Sequence, residues 1–283
     1  MRHFLMLTLA VVGLCMLTMP QAAAQDMFSL MFPTHDADIL NLKPNFDRLA
    51  ARGEIDRALT ERMNRLSIML GTEQPPEAHV REIASIRADF PGLHPAVAPW
   101  LVFLESRLYV AAGDMAAAEK AVGAWARTAP PEDADLAGQL RYYLARIYAE
   151  HPEHTGGMAL AERLDKVREL AGGVFRDQRV AGLLRLFAGL YLADQVDSLN
   201  RQQESAEFFP DDAARRQWVL AWMMEKEDIL REAGRLCNRM EAALGRAKET
   251  SQESGAVSQE ELTRQKERID RGVEEILQLQ RQP

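Results

Sequence analysis

The chain has little cysteine, few aromatics and no excess of positive charge, and each shortage excludes something. Cys15 and Cys237 are its two cysteines among 283 residues. Cys15 sits in an apolar leader, so removal of that leader leaves Cys237 alone and no intramolecular disulfide can form. Cys237 reads as a small apolar residue on a helix, with a free or intermolecular thiol as the alternative. Aromatic residues make up 7% of the chain, while Ala, Leu, Arg and Glu dominate, which is the composition of a helical protein. Lys and Arg total 34 against 42 Asp and Glu, for a net charge of −8. That acidity argues against nucleic acid and against an anionic membrane surface as general partners. No apolar run beyond the leader approaches the ~20 residues of a spanning helix. Catalytic signatures are missing as well. There is no His-Glu-x-x-His, no Gly-x-Ser-x-Gly, no phosphate-cradling glycine loop and no Cys-His pair in suitable context. Neither an enzyme nor a cofactor is expected.

What is present begins with that leader. Arg2 and His3 make a short basic start, Phe4 to Met19 is apolar apart from two threonines, and Pro20 breaks the run. Ala22-Ala23-Ala24 then offers a small-x-small cleavage site before Gln25. These are the parts of a secretory signal peptide, so residues 1–24 are expected to be cleaved and the protein to be periplasmic or secreted. An uncleaved anchor is the alternative. A lipid attachment at Cys15 is rejected, because Leu14 stands where a small residue is wanted. Cleavage removes one arginine and no acid, which takes the charge to −9.

Residues 25–42 lack a clear helical period and read as a loosely ordered lead-in. His35 with Asp36 and Asp38 reads as a solvated group on that terminus. From Pro44 the helical period takes over. Phe46, Leu49 and Ala50 precede Gly53; Ile55, Ala58, Leu59, Met63, Leu66 and Leu70 precede Gly71 and a Gln74-Pro75-Pro76 turn. Val80, Ile83, Ala84 and Ile86 predict a third helix closed by Phe90-Pro91-Gly92. The clearest unit is Trp100 to Pro130. Phe103, Leu104, Leu108 and Ala111 share one face, Gly113-Asp114 turns the chain, and Met115, Ala118, Ala121, Val122 and Trp125 continue the core face. Small residues at Ser106, Ala117, Ala118 and Ala121 predict two closely approaching helices. A second round carries Leu140, Tyr143, Leu144, Ile147 and Tyr148, then, after Gly156-Gly157, Leu160 to Leu170. A third starts near Val180 and includes Leu184, Phe187, Ala188, Tyr191, Val196 and Leu199, with Phe208 a further candidate.

Ser106-x-x-Tyr109, Ala145-x-x-Tyr148 and Ala188-x-x-Tyr191 line up, with tyrosines 39 and 43 residues apart. Such a period points to stacked helical hairpins. Ser106, Tyr109, Gly113-Asp114, Ala118 and Pro130 together resemble a tetratricopeptide repeat, with Trp100 near its start and departures at Val122 and Trp125. The flanking copies around Ala145/Tyr148 and Ala188/Tyr191 are degenerate, and the likeness covers residues 43–204. It implies an all-α, right-handed solenoid whose concave groove holds an extended peptide or a partner's helix. By that resemblance Ser106, Tyr109, Gly113, Ala118, Ala145, Tyr148, Ala188 and Tyr191 pack the repeats. Phe103 and Arg107, Tyr142 and Arg146, and Arg185 and Leu192 face the groove. Arginines in a groove of an acidic protein point to a carboxylate-bearing ligand; ordinary pairing with Glu105 and Glu150 is the alternative.

Residues 205–283 form the last segment. Asp211 or Asp212 caps a long helix in which Trp222, Ile229, Leu236 and Ala243 recur every seven residues, as do Met223, Leu230, Cys237 and Leu244. After the polar stretch 248–256, Ser258-x-x-Glu261 makes a capping box with a Val257–Leu262 staple, and Leu262, Ile269 and Ile276 repeat at seven. The expectation is an antiparallel helical hairpin that either closes the stack or makes a homo-oligomeric coiled coil through 211–281. Met223, Met224, Cys237 and Met240 read as core rather than as a soft-metal site. His151-x-x-His154 is a possible ligand pair without a third ligand, and no metal site is expected.

Overall fold

The computed structural model describes residues 45–69, 76–206, 209, 211–249 and 259–280. Residues 1–24, expected to be a signal peptide, the expected lead-in 25–42, and Pro44, Gly71, Phe208, Val257 and Ser258 lie outside the described residues. Every regular element among the described residues is helical. In chain order these are α1 (Phe46–Ala51), α2 (Arg57–Met69), α3 (Pro76–Asp89), α4 (Ala98–Ala111), α5 (Met115–Thr128), α6 (Ala134–Glu150), α7 (Leu160–Arg176), α8 (Gly182–Ala206), α9 (Asp212–Glu249) and α10 (Gln259–Gln280). The all-α class read from composition and periodicity is what the chain adopts. Pro76 begins α3 rather than ending a turn, at a first helical position where its missing N–H costs nothing.

Helices pack mainly on their sequence neighbours, and α6 also reaches α8. Two turns are made by the same device. Gly53 and Gly113 adopt φ +69° and +75° just past α1 and α4. The Gly53 N–H then bonds the Ala50 carbonyl and the Glu54 N–H that of Leu49; Gly113 and Asp114 repeat this onto Val110 and Tyr109. Such left-handed caps satisfy carbonyls that the helix end would orphan. Asp114 starts the next helix at once, its carboxylate accepting from the Ala117 N–H at 2.9 Å. One Gly-Asp pair thus ends α4 and begins α5.

The core lies along the contacts between helices. Ser106, Ala118, Ala145 and Ala188 are all fully buried, and their small size is what admits the neighbouring helix. Two of the three signature tyrosines, Tyr148 and Tyr191, share a role that spacing alone does not show. Tyr148 on α6 donates to Glu119 on α5, and Tyr191 on α8 donates to Glu150 at the end of α6 at 2.9 Å. In both cases a tyrosine hydroxyl ties its helix back to a preceding one.

The third round departs from a hairpin. Residues 182–206 form one helix of 25 residues, because the segment has no counterpart of the Gly-Asp turn. Its antiparallel partner is α9, 38 residues and about 57 Å long. Lys226 bonds Asp197 at 2.8 Å, Arg201 lies over the Trp222 ring at 5.5 Å, and Arg215 meets Glu204 at 2.7 Å. Asp211 caps α9 by accepting from the Ala214 N–H. Of the two seven-residue columns, Trp222, Ile229 and Leu236, and Met223, Leu230 and Cys237, are buried, whereas Ala243 is exposed. Leu262, Ile269 and Ile276 of α10 are buried too. Helix α10 runs back along α9, with Lys266 on Glu241 and the Cys237 thiol near the Leu262 carbonyl. Arg268 of α10 also reaches Asp194 of α8.

Candidate functional site

An open cleft of about 500 Å³ lies between α3, α4 and α5, within the size range of ligand pockets. Helix α4 contributes Ala98, Val102, Glu105 and Tyr109, spaced four, three and four apart and therefore on one stripe. Helix α5 contributes Ala117, Lys120, Ala121, Ala124, Trp125 and Thr128, and Arg87 and Leu93 close the side toward α3. The alanines keep the α5 wall low, while Trp125 and Val102 supply apolar surface.

Its charges are arranged unequally. Arg87 forms an ion pair with Glu105, whose side chain is only 12% exposed, so these two formal charges cancel. Lys120 stands exposed on the opposite wall. The cleft therefore carries a net positive rim on an acidic protein, which suits a carboxylate. Burial, followed by the neighbouring Glu105 charge, raises the Tyr109 phenol above its ordinary value. Tyr109 is thus a neutral hydrogen-bonding group at neutral pH.

The residues placed in a groove by the tetratricopeptide likeness lie elsewhere. Phe103, Tyr142 and Leu192 are buried in the core, at 0%, 5% and 1% exposure, and line no open surface. Phe103 packs edge-on against Tyr143, and Tyr142 against Tyr191 at 5.2 Å. Each helical residue turns the side chain by about 100°, so a small error in phase exchanges a groove position for a core one. The three arginines are engaged by the fold itself. Arg107 lies over the Phe103 ring at 5.6 Å. Arg146 forms a two-point contact with Glu150, at 3.1 and 2.7 Å. Arg185 donates to the Phe175 carbonyl at 3.0 Å. Burial opposes ionisation of Glu150, but the bonds from Arg146 and Tyr191 outweigh it and hold the carboxyl below its usual range.

Sequence reasoning missed the cleft because it read the alanines one way. Ala117 and Ala121 were expected to let two helices touch. Ala118 does so, whereas its neighbours Ala117 and Ala121 border open space. Trp125, expected in the core face, is half-buried and belongs to both. The usable signal was Lys120 set among alanines on a face shared with Trp125. The chain as a whole matches no family model, no curated protein and no solved structure, so its likeness to tetratricopeptide repeats rests on its own residues.

Proposed function

We propose that this chain is an exported, non-catalytic adaptor of tetratricopeptide-like hairpins that seats a carboxylate-bearing segment of a partner protein in the cleft between α3, α4 and α5. The observation that carries the reading is the cleft itself. It has an apolar floor, a neutralised Arg87–Glu105 pair and a free-standing Lys120 on the best-formed hairpin. Its open shape and alanine-lined wall suit an extended segment, and the apolar leader sequence with its small-x-small cleavage site supports periplasmic or secreted work. The right-handed solenoid belongs to the same proposal. A photo-crosslinking residue at Ala124, in the cleft, is compared with one at exposed Ala112, outside it. Capture of one partner protein from Ala124 alone, lost on Lys120→Glu, is the expected result. Equal capture from both positions refutes the cleft assignment.

A second reading, self-association through 211–281, draws on Leu220 and Met224. They lie four residues apart on α9 at 46% and 59% exposure, a small apolar stripe. Light scattering on the mature chain and on a Leu220→Lys, Met224→Lys variant decides it: a monomer in both cases rules self-association out. Closure of the stack by α9 and α10 is favoured by the burial of Leu262, Ile269 and Ile276 within the chain.

A further inference from the structure

The turn between α6 and α7 is tied down by its own backbone. After Glu150 a single 3₁₀ turn spans Pro152–His154. The His154 N–H bonds the His151 carbonyl, and the Thr155 N–H and hydroxyl both bond the Pro152 carbonyl, the latter at 2.8 Å. Thr155 is buried. Gly156 and Gly157, at φ +64° and +80°, then bring the chain into α7. Behind the turn, buried Arg163 donates to the Tyr148 and Ala149 carbonyls at 2.7 Å each.

On this platform three ligand atoms converge. His151 Nδ1 lies 3.0 Å from Glu153 Oε1, His154 Nε2 lies 3.9 Å from the same oxygen, and all three fall within 4.8 Å of one another. No hydrogen bond among the described residues ties these side chains to another helix, so their convergence is not needed to hold the fold. We propose that His151, Glu153 and His154 bind a divalent transition-metal ion of the zinc class.

Tetrahedral coordination at roughly 2.0–2.1 Å sets ligand atoms about 3.4 Å apart. The two separations to Glu153, 3.0 and 3.9 Å, bracket that value, and the third is no more than 4.8 Å. Two imidazoles with one carboxylate suit zinc, copper or nickel; magnesium and calcium prefer all-oxygen shells. Three protein ligands leave a position open for water or for a group on a partner. Sequence reading set the pair aside for want of a third ligand. The tight turn supplies it, because it carries Glu153 to the same side as both histidines.

The test is calorimetric titration of zinc chloride into the untagged, chelator-stripped mature protein, with excess magnesium present throughout. Saturable binding of one ion per chain is expected. His151→Ala and His154→Ala should each weaken it by about tenfold or more, while His94→Ala leaves it unchanged. The three side chains are exposed or half-buried, so circular dichroism should match wild type in every variant. Absence of saturable binding overturns the proposal. So does binding that survives the double His151→Ala, His154→Ala change, because the ion then sits elsewhere.

Discussion

Gly189 on α8 tests whether packing or helix propensity governs the α7–α8 contact. Alanine is favoured over glycine inside a helix by about 0.8–1.0 kcal/mol, so propensity alone predicts that Gly189→Ala stabilises. The neighbours say otherwise. A Cβ at Gly189 would stand 2.7 Å from Cδ2 and Cε2 of Phe175 and 3.0 Å from its Cζ. Comfortable carbon contacts are roughly 3.5–4.0 Å, so the ring must retreat by close to an ångström. Phe175 is 1% exposed and has no open space to retreat into. Overpacking of this kind costs about 1–3 kcal/mol, which outweighs the propensity gain and leaves a net loss of about 1 kcal/mol. Gly173, on α7, is the internal control, since a Cβ there meets nothing within 4 Å. Gly173→Ala should therefore gain up to about 1 kcal/mol. The two variants should differ by about 2 kcal/mol, which in a chain of this size separates their melting midpoints by about 4–8 °C. Thermal and urea unfolding followed by circular dichroism reads the gap. Adding Phe175→Leu should restore much of what Gly189→Ala loses, as a positive coupling in a double-mutant cycle. A Gly189→Ala protein as stable as Gly173→Ala refutes the reasoning.

Two further predictions concern polar contacts. Arg163→Met leaves the Tyr148 and Ala149 carbonyls at the end of α6 without their donor; at roughly 1–3 kcal/mol for an unsatisfied buried group, urea unfolding should show a loss of about 2–4 kcal/mol. Asp177 is held well below the usual carboxylate range, chiefly by the Arg179 side chain, with the Arg179 N–H and Arg141 adding to it against burial. A depressed folded-state pKa means its contribution is complete above the unfolded value of about 3.9 and is lost as pH falls below it. Acid titration should therefore show Asp177→Asn to be less stable than wild type at pH 7, with the gap closing as pH drops below about 4.

The division between what residues and packing each decide can be followed at particular positions. Gly113 and Asp114 dictate their turn locally, because the left-handed φ and the side-chain cap involve only neighbours within five residues. The columns that start at Trp222 and Met223 announce a long helix that packs on partners along its length, since a seven-residue period needs no knowledge of the partner. Helicity, the main turns and the burial of Ala118, Ala145 and Ala188 were legible for that reason. Other features depend on groups far apart in the chain. Whether Ala121 touches a helix or borders a cleft is set by where α3 stands, some thirty residues earlier. Whether Arg146 faces a ligand or grips Glu150 is a choice between two satisfied states that the pattern does not rank. The third round has no Gly-Asp turn and so stays one helix, but that α9 takes the place of the missing second helix beside α8 is visible only in the packing. The amino-acid sequence by itself determined the helices and their local ends, through short-range sterics and hydrogen bonds. Only the tertiary structure decided which helix faces remain open, because that depends on the placement of neighbours the local pattern does not contain.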